Sequence, residues 1–289
     1  MTPVFQHLTK KQADIYSLVL SATGIEYQIE ETLSGFEILT EESCTKDSLS
    51  AVRLYLDENM KYHTVKSTFA DKFHKTYSGL FSAFLLFIIH WQISAKLNSD
   101  VYTNAFGSSA SKILNGEYFR CITALFLHGS DLHLIGNMAG IIIFGTSVCS
   151  ISGSGLGWCM IIASGFLGNY FNACFYESLH ISIGASTAVF GAIGILAGQR
   201  LIFQLEENGL RVTSLIPIGA GLALLALLGS SPNSDFMAHF FGYIAGIIAG
   251  VFYRLFIREP ISESYQTGLL ILAALIIAAA SIRGHLLYF

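Results

Sequence analysis

Charge is what this sequence has least of. Asp, Glu, Lys and Arg make up only 12% of its 289 residues, against 53% hydrophobic residues and a mean hydropathy of +0.56; a soluble domain usually carries about twice that charged share. The shortage excludes an ordinary water-soluble globule and makes the bilayer the expected solvent. The net charge of -4, with no basic cluster, excludes a nucleic-acid partner. Cysteine is sparse and scattered: Cys44, Cys121, Cys149, Cys159 and Cys174 form no CxxC and no paired spacing, so they read as small apolar fillers. Proline is rarer still, and Pro217 falls in the first turn of an apolar run, where its missing N–H costs little. The opening MTPVFQHLTKKQADIY lacks the basic-then-apolar order of a secretory signal, so the head is expected to be retained.

What charge there is clusters at one end. Residues 1–75 hold eight of the sixteen Lys and Arg and eleven of the twenty Asp and Glu, which marks a soluble head ahead of a membrane body. Within the head, Ile15, Leu18, Val19 and Ala22 recur at helical spacing and Gly24 follows as a stop. IEYQIE and FEILT alternate on either side of Ser34-Gly35 and read as a hairpin. A second helix is expected from Ser48 to about Asn59, giving a small α+β domain in αββα order without a catalytic constellation.

Apolar runs at about 78–95, 131–150, 156–176, 185–203, 213–229, 236–256 and 266–283 each approach the ~20 residues that cross a bilayer. Lys61, Lys66, Lys72 and Lys75 precede the first, which places the N-terminus in the cytoplasm, with the inner or plasma membrane as the expected location. Seven spans then put the C-terminus outside. The first two runs are joined by a long segment, 96–130, whose CITALFL is too short to span and is expected to lie in the interface or fold back into the body.

Polar side chains inside a bilayer are costly, so they mark function. Ser186 lies in SIGASTAVFG among Gly184, Ala188, Gly191, Gly194 and Gly198, small residues that let another helix approach closely. The sixth run supplies a match: Ala238, Gly242, Gly246 and Gly250 repeat every fourth residue, with His239 beside the first. Ser186 and His239 sit at similar depth, so a close contact would bring an imidazole to a hydroxyl, as base-activated nucleophilic catalysis requires. In HGSDLHLIGN, His133 and Asn137 are four apart on one helix face, where they could donate to a developing oxyanion. Metal binding by His128, His133, Asp131 and a further histidine is the competing reading; there is no HExxH and no carboxylate within a span to act as base. His90 reads as a structural hydrogen-bonding residue and His180 as a solvated one.

Taken in order, these segments resemble the rhomboid intramembrane serine proteases. FLHGSDLHLIGN is similar to the family's His, four residues, His, then Asn pattern; GASTAVFG resembles its GxS nucleophile segment; DFMAHFFGYIAG resembles its last catalytic helix; and GEYFR stands where the first loop carries an aromatic pair and Arg. The likeness covers about residues 78–257. It implies an all-α polytopic membrane protein with a six-helix rhomboid-like core (76–257), preceded by the soluble α+β domain (1–75) and followed by an extra C-terminal transmembrane helix (258–289).

It further implies Ser186 as nucleophile, His239 as general base without a third carboxylate, and His133 and Asn137 supporting the oxyanion together with backbone donors at Ser186. Phe190 would pack on the imidazole, Gly184 and Gly242 would keep the surroundings of the pair slim, and no metal or cofactor would be required. Thr187 departs from the family's usual Gly after the serine, and a β-branched residue there is expected to reshape, narrow or slow the site. Phe119 and Phe241 are milder departures. Substrates would be transmembrane or juxtamembrane segments of other membrane proteins, admitted past segments before Ile181 and around Ser230 to Asp235. A membrane chaperone on the same scaffold, with no need of the hydroxyl at 186, is the main rival; a small-solute transporter is disfavoured by the scarcity of ionisable residues.

Overall fold

The structure is a computed structural model that describes residues 1–32, 35–70, 75–95, 99–177, 180–229, 234–259 and 261–289, with backbone alone over 59–70 and at 208. It divides into two compact units, Met1–Phe73 and His74–Phe289.

The first unit runs β1 (Thr2–Leu8), α1 (Lys10–Ala22), β2 (Tyr27–Thr32), β3 (Gly35–Thr40) and α2 (Thr45–Ala70). Thr9 starts α1 with a reciprocal cap: Gln12 N–H donates to its hydroxyl and Gln12 Oε1 accepts from its backbone. β2 and β3 form the expected hairpin, although its tip at 33–34 lies outside the described residues. Two expectations for the head need correcting. An N-terminal strand, β1, pairs antiparallel with β3 to give the sheet order β1-β3-β2, so the element order is βαββα. Its register slips twice, which breaks the alternation that announces a strand. The second helix also continues to Ala70. Leu8, Ala13, Leu20, Ile38 and Val52 form the core of this unit.

The second unit is helical: α3 (Ser78–Ala95), α4 (Ser99–Phe106), α5 (Ala110–Leu114), α6 (Arg120–Thr123), α7 (Asp131–Gly140), α8 (Thr146–Ser152), α9 (Ser154–Tyr176), α10 (Ser186–Asn208), α11 (Ile216–Leu228), α12 (Phe236–Phe252) and α13 (Glu263–Tyr288). Wide turns at Ile141–Gly145 and Tyr253–Ile257 carry α7 on into α8 and extend α12. Among the described residues, five helical stretches are long and apolar enough to cross a membrane: 78–95, 131–152, 186–207, 236–257 and 263–288. The chain is an integral, multi-pass membrane protein. Seven spans were expected, and two of them are corrected: 156–176 forms α9, which buries the polar Asn169 and Asn172 and is not among the five, and 213–229 forms a helical stretch, Val212–Leu228, that is shorter than the five.

The segment between the first two spans is built, not slack. It holds α4, α5, α6 and a two-residue strand, β4 (Ser108–Ser109), paired with β5 (Ile181–Ser182) just before α10. Cys121, Ile122, Ala124, Leu125 and Leu127 are buried, so CITALFL folds back into the body. Burial also pushes the Cys121 thiol up to about 12, which suits an inert filler.

Glycine sets how close the central helices come. A Cβ at Gly246 would strike the carbonyl of Gly191, one at Gly250 that of Ile195, and one at Gly194 that of Tyr243. α10 and α12 therefore meet backbone to backbone, with α9 against both. α13 is pinned at its start by Gln266, whose Nε2 donates to Ser152 O at 2.8 Å and whose Oε1 accepts from Leu156 N–H at 2.9 Å.

Candidate active site

The close contact between α10 and α12 brings two distant side chains together. Ser186 is the first residue of α10, and its Oγ lies 2.7 Å from His239 Nε2, near the start of α12. The other ring nitrogen, Nδ1, is 3.2 Å from the carbonyl oxygen of Gly229, the residue that closes α11. A carbonyl only accepts, so Nδ1 carries the proton and Nε2 presents its lone pair to the serine hydroxyl. His239 is 4% exposed. Phe190, one turn along α10 from Ser186, covers it with ring centroids 4.8 Å apart. Gly229 is tightly placed: a Cβ there would come within 3.2 Å of His239 Nδ1.

The remaining expected site residues gather around this pair. Gly184 has φ +130°, and a Cβ on it would lie 2.7 Å from the His133 ring and 3.4 Å from Ser186 Oγ. A side chain there would be both strained and in the way. The edge of His133 therefore borders the same space as the serine hydroxyl. Asn137 is buried one turn further along α7, with Nδ2 donating to His133 O at 3.1 Å. His128 stands behind them, its ring 5.2 Å from that of His133 and its Nε2 3.5 Å from the backbone N–H of Ala185. Gly242 admits α10, since a Cβ on it would strike the carbonyl of Thr187. Among the described residues, no group of three or more His, Cys, Asp or Glu is arranged to hold a metal ion.

Residues 115–256 match the family model for the Rhomboid domain. The chain belongs to the rhomboid family. Similar proteins include the rhomboid protease GluP of Bacillus subtilis (strain 168), 29% identical over 143 residues, which are 47% of this chain and 28% of that protein. RHOMBOID-like protein 7 of Arabidopsis thaliana is 30% identical over 130 residues, 44% of this chain and 40% of its own. RHOMBOID-like protein 5 of the same plant is 31% identical over 132 residues, 45% of this chain and 42% of its own. The matched stretch is thus less than half of each of these relatives.

Within this rhomboid, Thr187 does not crowd the serine. Its backbone is ordinary right-handed helix, so no glycine is needed there. Its side chain turns away, the hydroxyl donating to Asn169 Oδ1 at 3.1 Å and the methyl filling the space beside Gly168 and Gly242. Asn169 Nδ2 donates in turn to Cys121 O at 2.9 Å, which ties α9 and α10 to α6.

His180 is not merely solvated either. It stacks on Tyr176 at 3.9 Å, and its Nε2 is 2.6 Å from Asp235 Oδ2. The same oxygen accepts from Asn172 Nδ2 at 2.5 Å, while Oδ1 caps α12 by accepting from Ala238 N–H at 3.1 Å. Asp235 thus fixes the start of the helix that carries His239. The signal was there to read: Asp directly before an apolar run is a helix-start residue. His90 meets the expectation of a structural bond, with Nε2 3.0 Å from Asp131 Oδ1. Of the two segments expected to admit substrate, 178–179 and 230–233 lie outside the described residues.

Proposed function

We propose that this rhomboid is an intramembrane serine endopeptidase that cuts transmembrane or juxtamembrane segments of other membrane proteins. The observation that carries the reading is the 2.7 Å approach of Ser186 Oγ to His239 Nε2, with the proton held on Nδ1 by Gly229. In that state Nε2 can take the serine proton as Oγ attacks the scissile carbonyl carbon. The negative charge that develops on the carbonyl oxygen would meet the His133 ring, the second hydrogen of Asn137 Nδ2 and the backbone N–H groups at the start of α10. Collapse breaks the C–N bond, and the imidazolium gives its proton to the leaving amine. Water then attacks the acyl-serine, His239 takes its proton and returns one to Ser186, and the acid product departs. Gly184 and Gly242 keep the pair accessible and close, and Phe190 holds the imidazole plane.

The soluble head (1–75) and the last helix (258–289) would be accessory to a catalytic core at 76–257. The lysines before the first span favour a cytoplasmic head, in an inner or plasma membrane.

The test is the purified full chain in detergent with a single-span model substrate. The wild type is expected to cleave it, and Ser186→Ala and His239→Ala are expected to lose cleavage entirely. Cleavage that survives in Ser186→Ala would overturn the assignment. A serine-directed fluorophosphonate is expected to label the wild type and not Ser186→Ala. An unlabelled, monodisperse wild type would instead favour a chaperone on the same scaffold.

A further inference from the structure

A cavity of about 660 Å³ lies between α3 and α13, lined by Phe81 and Leu85, by Ala274 and Ile277, by Trp158 of α9 and by Ala188 of α10. It is no ordinary packing defect, since interior voids rarely exceed a water molecule. Its lining is apolar almost throughout, and a cavity of that kind does not hold water. Its rim is open: Phe81 and Ile271, both within spanning helices, are exposed.

One end is different. Where α3 begins, Thr76 Oγ1 bonds Ser78 Oγ at 3.0 Å and Ser154 Oγ at 2.9 Å, next to the exposed Lys75. The start of a spanning helix lies at headgroup depth, so this polar end faces the phosphate plane of the bilayer. From Tyr77 to Leu86 the slot runs about 13 Å along the start of α3. A slot that is apolar along its length and polar at one end beside a lysine suits a lipid, with its hydrocarbon chain inside and the anionic phosphate of its headgroup at Lys75.

We propose that this slot is a binding site for one acyl chain of a bilayer glycerophospholipid, its polar end at Lys75, Thr76 and Ser78. The chain's far end meets Ala185 and Ala188, on either side of Ser186, so the bound lipid supports the first turn of α10 from behind. It also gives α13 a role, as the outer wall of the site. The proposal is independent of whether Ser186 is a nucleophile.

Trp158 is a built-in reporter. It lines the slot at 9% exposure, and the chain's only other tryptophan, Trp91, is removed by Trp91→Phe. The full-length Trp91→Phe protein is placed in nanodiscs of phosphatidylcholine with plain or brominated acyl chains. Bromine quenches on contact, so Trp158 is expected to lose most of its emission in the brominated lipid. Filling the slot with Ala274→Phe, or separately with Ser82→Leu should the first not give a monodisperse protein, is expected to restore it. Equal emission in the two lipids, or quenching that neither filler relieves, would overturn the proposal. So would emission untouched by brominated lipid but quenched by a brominated single-span peptide, which would assign the slot to a helix.

Discussion

Ser186 and Thr187 are adjacent in sequence and face opposite ways. Ser186 meets the imidazole, and Thr187 meets Asn169. Replacing Thr187 by Val keeps the shape and deletes the buried hydroxyl, leaving Asn169 Oδ1 without its donor; the expected loss is about 1 kcal/mol. Thermal denaturation in detergent should show that loss while fluorophosphonate labelling of Ser186 persists. Thr187→Gly removes the methyl as well and is expected to be less stable than Thr187→Val, whereas a threonine that restrains the site would make the glycine variant the more active one. Much of the site is legible in the sequence at this scale, because polar residues among small ones inside apolar runs are conspicuous. The bond that orients His239 is not, since its partner is the backbone carbonyl of Gly229 and any residue type supplies one. Nor does the direction of Thr187 follow from its neighbours in sequence; it depends on Asn169, which arrives from α9.

Among the elements, α10 and α12 carry the site, and glycine decides their separation. Gly246→Leu would drive a side chain into the backbone at Gly191, and the expected cost is about 3 kcal/mol, the upper range for overpacking. Gly219 on α11 has open space around it, so Gly219→Leu should fold like the wild type. Comparing monodisperse yield and melting temperature of the two variants checks the claim; equal behaviour would refute it. Five of the seven expected spans were readable because hydropathy and length decide them; 156–176, with its buried asparagines, and the short 213–229 were overread. β1 was not, since an edge strand with two register slips shows no alternation, and α4 to α6 were not, since their helices are shorter than the window in which helical periodicity can be seen.

Taken as one body, the membrane unit is closed at one end by a clasp that joins its last helix to its first long loop. Tyr288 donates to both oxygens of Glu117, 3.0 and 2.8 Å away, and the fully buried Arg120 holds the same carboxylate at 2.6 Å and the carbonyl of Gly107 at 2.9 Å. Burial alone would raise the Glu117 pKa, but the bonds from Arg120 and Tyr288 and the charges of Arg120 and Lys112 outweigh it and leave the carboxyl below its ordinary value. A depressed acid stabilises the fold fully above the ordinary glutamate pKa of about 4.3, and that contribution fades as pH falls through the lower folded value. The melting temperature is therefore expected to drop as pH is lowered from about 5 to about 3 by more in the wild type than in Glu117→Gln, with Tyr288→Phe in between. Identical pH profiles would show that the clasp does not matter.

The Gly229 carbonyl has a consequence for how such a site tolerates a bilayer. It is the end of α11, where the aligned peptide dipoles sum to about half a negative charge, while Ser186 stands at the start of α10, where they sum to about half a positive one. The imidazolium and the oxyanion that peptide hydrolysis would create thus each form beside a partial charge of opposite sign, fixed in place by the fold. Neither requires a resting ion in hydrocarbon, where an ionised carboxylate would be costly to keep.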